Sequence, residues 1–258
     1  MYKIGLLGCG KLGSIVAKGL TEGRVPGCVL AGIYSIPMDQ AKAKAEEFGC
    51  TACESLEELL AMDLDYVIEA TGPAPLKEYL PKVVEAGKNI ICLSTGVFAE
   101  QDYCDRIEAV ALEKGCKVYL VSGCIGGIDL GNTIGVMGPA KATVTNFRPK
   151  ELPKGAPAFG ADMPAEFEGP ALEGFALSPS HLNVIIAGAR ATGQVDSARF
   201  RITTEEGQQG FGYDVAGGTI SASIRICNHG PEGSTNSAEL AAWSALGKLK
   251  RLTSTITF

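Results

Sequence analysis

The hexapeptide Gly8-Cys9-Gly10-Lys11-Leu12-Gly13 stands between an apolar run, Ile4 to Leu7, and the helical spacing of Ile15, Val16 and Leu20. Three glycines at this spacing, between a strand and a helix, have separate tasks. Gly8 permits the tight bend out of the strand, Gly10 lets a pyrophosphate approach the backbone, and Gly13 lets the helix pack close to the strand. Alone the pattern is weak in a chain with 33 glycines; the flanking strand and amphipathic helix are what make it half of a Rossmann unit. Gly8, Gly10, Lys11, Leu12 and Gly13 are therefore expected to cradle the phosphates of a dinucleotide.

The second strand, Val29 to Tyr34, runs into Tyr34-Ser35-Ile36-Pro37. An NAD-selective site usually places an Asp or Glu here to grip the ribose 2′-hydroxyl, and that carboxylate repels a 2′-phosphate. This chain has none, and Ser35 can donate a hydrogen bond to a phosphate. The nearest basic residue, Lys42, lies a helix turn or two away, so no dedicated 2′-phosphate clamp is visible. The expectation is a loosely selective adenosine end near Tyr34 and Ser35, taking NAD or NADP.

Strand and helix signals alternate onward: a helix from Met38 to Phe48, a short helix opened by the capping box Ser55-x-x-Glu58, a strand from Tyr66 to Glu69, a helix from Ala74 to Ala86, a strand from Asn89 to Leu93, a helix from Ala99 to Glu113 and a strand from Lys117 to Val121. This rhythm implies a parallel, doubly wound sheet. After Ser122 it changes to a strand from Ala142 to Arg148, a Pro-rich stretch between Pro149 and Pro164, and alternating strands over Ala198 to Thr204 and Thr219 to Cys227. The expected fold is α/β, an N-terminal Rossmann domain over residues 1–121 completed by a C-terminal helix within 237–258. An α+β domain over 122–236, with a mostly antiparallel sheet, would serve substrate and dimerisation, and the cleft between domains would hold the chemistry.

Ala70 and Thr71 follow the strand ending at Glu69, at the carboxyl edge where a nicotinamide would lie. With 29 acidic against 23 basic residues and a net charge of −6 the chain offers no basic face for nucleic acid or an anionic membrane. The N-terminal apolar tetrad is too short for a signal segment, and a cytoplasmic protein is expected. Nine cysteines in apolar contexts read as small core residues. Cys50-x-x-Cys53 has the spacing of half a zinc site, but no second pair or nearby histidine completes it, so no metal is expected.

Ser94-Thr95-Gly96-Val97-Phe98-Ala99, Ser122-Gly123-Cys124-Ile125-Gly126-Gly127-Ile128-Asp129, and Phe167-Glu168-Gly169-Pro170-Ala171 followed by Pro179-Ser180-His181-Leu182-Asn183-Val184 occur in this order. They resemble the Ser-Val-Gly-Ala-Leu-Ala, Ser-Gly-Ala-Ile-Gly-Gly-Leu-Asp, Phe-Glu-Gly-x-Ala and Pro-Lys-Asn-Val-Asn-Val segments of the L-aspartate dehydrogenase family. The resemblance spans nearly the whole chain. It implies a nicotinamide-dependent dehydrogenase acting on a small amino or imino acid, with Ser94, Thr95, Ser122 and Gly123 on the cofactor side. The family's Asn-x-His-Glu-Ile motif corresponds to Phe211-Gly212-Tyr213-Asp214-Val215, which puts Tyr213 at the histidine position, and His181 stands where the family has an asparagine. Ser234 to Ala238 stands for the family's terminal Asn-Pro-Lys-Thr-Ser.

The catalytic candidates are thus His181, Tyr213 and Asn183, each with an ordinary alternative. His181 is a proton relay or a capping histidine; Asn183 holds a carboxylate or the carboxamide, or caps a helix. Tyr213 polarises an imine or packs as an aromatic in an alternating strand. His229, in a turn, reads as exposed, and Cys124 has no flanking base. If Tyr213 faces the substrate, aspartate is expected to be a poor one. Two other readings stand beside the amino-acid dehydrogenase: a reductase of another carbonyl or imine, and a non-catalytic NAD(P)-binding protein. Dihydrodipicolinate reductase is disfavoured, since its His-His and Lys-x-Asp-Ala-Pro-Ser-Gly-Thr signatures have no counterpart. A homodimer is expected from a second-domain sheet with a face left to cover.

Overall fold

A computed structural model describes residues 1–149, 163–228 and 237–257. They divide into two compact units, one of residues 1–121 with 241–258 and the other of residues 122–240.

The first unit is built on β1 (Tyr2–Leu7), α1 (Lys11–Thr21), β2 (Cys28–Tyr34), α2 (Met38–Phe48), β3 (Thr51–Ala52), α3 (Leu56–Ala61), β4 (Tyr66–Glu69), α4 (Pro73–Glu85), β5 (Asn89–Cys92), α5 (Gln101–Lys114) and β6 (Val118–Leu120). The strands lie in the order β3-β2-β1-β4-β5-β6 and every pairing is parallel. The strand order reverses between β1 and β4, and in such a sheet a ligand binds outside the carboxyl ends of the strands at that reversal. The strands are apolar on both faces, as helices on either side require: Ile4, Leu6, Ile33, Ile68 and Ile91 are buried together with Val16, Ala17 and Leu20 of α1.

The last helix, α9 (Ser237–Thr253), adds Ala242, Ala245, Leu246 and Leu249 to this core. Its approach depends on Gly19 of α1, where a Cβ would run into Leu246. The Ser55 box forms as expected at one end, with the Glu58 amide donating to Ser55 Oγ at 3.0 Å. The Glu58 carboxylate, however, accepts from the Glu54 amide rather than from that of Ser55.

The second unit contains α6 (Ile128–Met137), β7 (Ala140–Arg148), β8 (Phe167–Pro170), α7 (Ala171–Ala176), α8 (Asn183–Ala191), β9 (Arg199–Thr204), β10 (Gly210–Gly217) and β11 (Ile220–Cys227). Its sheet runs β11-β10-β7-β9-β8, antiparallel except for the β7–β9 pair. One face is the core, where Val144, Phe200, Ile202, Tyr213 and Val215 pack with Leu182, Val184 and Ile185. The other face is polar. It presents Thr145, Asp214 and Ser223, with Arg201 paired to Glu168 at 3.2 Å and Arg225 paired to Glu205. No helix among the described residues is long and apolar enough to cross a membrane.

Candidate functional site

The glycine turn lies at the reversal point of the first sheet, and the three glycines are used differently. Gly8 has φ +92°, and a Cβ there would meet the Ala70 carbonyl oxygen at 2.7 Å. Both the backbone region and the close approach exclude other side chains. Gly13 lies against the turn itself, where a Cβ would collide with the Gly8 carbonyl oxygen. At Gly10 a Cβ would meet nothing within 4 Å. The protein has no packing reason for a glycine there, so the open side of the turn is what fits a bound pyrophosphate.

Gly10 is also the N-cap of α1, which has no side-chain cap and no acidic residue in its first turn. Lys11 and Leu12 begin the helix. Uncapped amide groups at a helix N-terminus favour an anion.

Backbone hydrogen bonds join this turn to its neighbours. The Gly8 amide donates to the Tyr34 carbonyl at 2.8 Å and the Ala70 amide to that of Leu7 at 2.8 Å. The Cys9 amide donates to Ser35 Oγ at 3.1 Å. Ser35 is buried, so its first role is to tie the turn to the end of β2 rather than to meet a 2′-phosphate. Tyr34 stacks edge-on against Tyr79 with ring centres 6.1 Å apart. Lys42 pairs with Glu54 at 3.5 Å, so that cation is engaged away from the phosphate it was considered for. The structure therefore gathers Gly8, Gly10, Gly13, Tyr34, Ser35 and Ala70 at one sheet edge.

Thr71, Ser94 and Thr95 reach the same edge by a route not expected from sequence. Ser94 and Thr95 are buried. The hydroxyls of Ser94 and Thr71 both engage Glu69 Oε1, at 2.7 and 2.8 Å. The side chains of Thr71 and Ser94 thereby fix the loops that follow β4 and β5. Glu69 itself escaped the sequence reading; its only signal was a single acid closing an apolar strand.

In the second unit the three catalytic candidates stand in different surroundings. Ser122 and Gly123 open the unit, with Gly123 at φ +62° and the Ile125 amide donating to the Ser122 carbonyl. Asn183 is the first residue of α8 and partly buried. His181 is exposed in the turn before α8, and its Nδ1 lies 3.1 Å from Ser178 Oγ and 2.9 Å from Ser180 Oγ. Tyr213 has no exposed surface. Its ring fills space left by Gly131 of α6 and Gly188 of α8, and its hydroxyl donates to the Gly188 carbonyl at 3.1 Å.

Burial pushes the Tyr213 phenol up to about 12. Tyr213 is thus a core residue that fastens α8 to β10, and the expectations that it meets substrate and forms a pair with His181 are corrected. Burial likewise raises Cys124 to about 12 and Cys50 and Cys53 to about 11, so none is a ready nucleophile. His229 and Ser234 to Asn236 lie outside the described residues.

Tyr213→Phe should therefore cost about 0.5–1.5 kcal/mol in a urea unfolding experiment, the usual worth of one buried hydrogen bond, and leave turnover unchanged. The sign of its pH dependence follows. The neutral phenol is favoured in the folded state, so its stabilisation is complete below about pH 10 and is lost as pH rises toward 12. The variant should lack that alkaline loss. A tenfold change in turnover by Tyr213→Phe would return the residue to the site.

Residues 8–121 match the family model described as homoserine dehydrogenase, NAD binding domain. Over nearly full length the chain is similar to the L-aspartate dehydrogenases of Methanospirillum hungatei, at 29% identity over 98% of each chain, and of Methanococcus maripaludis, at 26% over 98% of this chain and 97% of that one. The crystal structure of aspartate dehydrogenase from Thermotoga maritima has the same fold, with a TM-score of 0.74 and 20% identity over 100% of this chain and 99% of that one. Over nearly its whole length the chain is thus similar in sequence to L-aspartate dehydrogenases, and it shares the fold of one of them.

Proposed function

We propose that this protein is an NAD(P)-dependent dehydrogenase that moves a hydride between the nicotinamide and the α carbon of a small amino or imino acid. The observation that carries the reading is the full-length similarity to L-aspartate dehydrogenases, coverage that includes the second unit as well as the nucleotide-binding one. The argument against aspartate rested on Tyr213 facing the substrate. With Tyr213 in the core, that argument falls, and L-aspartate is the first substrate to test.

The bound nicotinamide supplies the hydride chemistry; the protein supplies placement and charge. In this reading the Gly8 to Gly13 turn and the amino end of α1 hold the phosphates. Tyr34 and Ser35 border the adenosine ribose, and Ala70 and Thr71 border the nicotinamide half. In the second unit, Ser122, Gly123, His181 and Asn183 are the candidate residues. Asn183 would give amide donors to a carboxylate, and His181, held by two serine hydroxyls, would act as a donor or proton relay.

The end of β2 carries neither a carboxylate to exclude a 2′-phosphate nor a free cation at Lys42 to attract one. NADP should accordingly bind within about tenfold of NAD. Fluorescence titration with both reduced cofactors checks this, and a hundredfold preference for either would contradict it. We also propose a homodimer, with the polar outer face of the second sheet as its contact. Light scattering at micromolar concentration should give twice the chain mass, and a monomer mass would remove the proposal. The functional test is formation of reduced nicotinamide with L-aspartate against a panel of other small amino acids.

A further inference from the structure

Glu69, the last residue of β4, has no exposed surface. Its Oε1 accepts from the Thr71 amide at 2.7 Å, the Thr71 hydroxyl at 2.8 Å, the Gly72 amide at 3.1 Å and the Ser94 hydroxyl at 2.7 Å. Its Oε2 accepts from the Ser94 amide at 3.0 Å. Thr71 and Gly72 belong to the loop between β4 and α4, and Ser94 to the loop that follows β5. One carboxylate thus holds together two loops leaving adjacent strands.

A carboxylate is costly to bury and is tolerated only when its oxygens are well satisfied. An apolar residue would continue the run of Val67 and Ile68 without that cost, so stability of the strand alone gives no reason for the acid. The reason lies in what the loops border. The Ala70 amide binds the Leu7 carbonyl, and the Ala70 carbonyl sits where a Gly8 side chain would be. The loops fixed by Glu69 therefore form the wall across the sheet reversal from β2.

In a sheet of this order the adenosine half of a dinucleotide lies on the β1–β2 side and the nicotinamide half crosses toward β4 and β5. Glu69 touches loops only on the second side. We propose that Glu69 is a positioning residue for the nicotinamide half of the cofactor, acting through Thr71, Gly72 and Ser94. The assignment rests on the reading that the first unit binds NAD(P).

Glu69→Gln keeps the shape of the side chain but turns one acceptor into a donor facing donors. Three quantities separate positioning from general damage: the affinity for NADH by fluorescence, the affinity for ADP by displacement of NADH, and the thermal midpoint without ligand. Loss of one charge-assisted hydrogen bond should weaken NADH binding about tenfold or more, with ADP affinity changed less than about twofold. Ser94→Ala, which removes one hydroxyl and keeps the amide, should shift NADH affinity in the same direction by less, and it carries the comparison if Glu69→Gln does not fold.

Equal weakening of NADH and ADP, or NADH affinity unchanged in both variants, would overturn the proposal. Failure of the unaltered chain to bind NADH or NADPH at all would instead overturn the cofactor reading beneath it.

Discussion

Gly10→Val is expected to fold as the parent does and to lose nicotinamide cofactor binding almost completely. The added side chain would meet no protein atom within 4 Å, and the backbone at Gly10, with φ −64° and ψ −160°, is open to any residue. Stability should therefore change by no more than about 0.5 kcal/mol, as for a surface substitution without special contacts. The isopropyl group would stand where a pyrophosphate approaches the turn, and NADH affinity should fall at least about hundredfold. Thermal unfolding without ligand and a fluorescence titration give the two halves of this result. Full affinity in Gly10→Val would mean that the turn is not the cradle.

Gly13→Val should behave in the opposite manner, damaging the fold first. Its Cβ would strike the Gly8 carbonyl oxygen, a backbone atom that no rotamer change can move aside. Either α1 or the turn must shift, and because the Gly8 amide is fastened to the Tyr34 carbonyl the strain spreads into β2. A loss of about 1–3 kcal/mol or more is the usual cost of overpacking a tight contact, read as a lowered unfolding midpoint, with cofactor affinity falling alongside it. A stable Gly13→Val protein with intact binding would show that α1 approaches β1 less closely than described. Together the two glycines separate a residue required by the ligand from one required by the fold.

Much of the first unit was legible because its signals are local. A strand, three glycines and an amphipathic helix follow one another within twenty residues, and buried parallel strands read as apolar runs. The second unit was harder for reasons visible in particular residues. The sequence over α6 contains Gly131 and Gly135 among Thr and Val, poor helix formers. The helix exists because those glycines let it close on neighbours: a Cβ at Gly131 would strike the Tyr213 hydroxyl, and one at Gly135 would meet Thr192 backbone.

Alternation along β10 gives the faces of the strand but not which face lies under α8, so Tyr213 looked available for chemistry when it is a packing residue. Glu69 shows the complementary failure. Its identity was plain, but its partner Ser94 lies 25 residues away on the next strand's loop, and only the parallel pairing of β4 with β5 brings them together.

The most direct test of the account is to supply the purified protein with NAD or NADP and L-aspartate, then with reduced cofactor, oxaloacetate and ammonia, and to follow the nicotinamide absorbance in both directions. Turnover in both directions, dependent on the cofactor and abolished by Gly10→Val, is the predicted result. Tight NAD(P)H binding with no turnover of aspartate or of any other small amino or oxo acid would contradict it and leave a nucleotide-binding protein without catalysis.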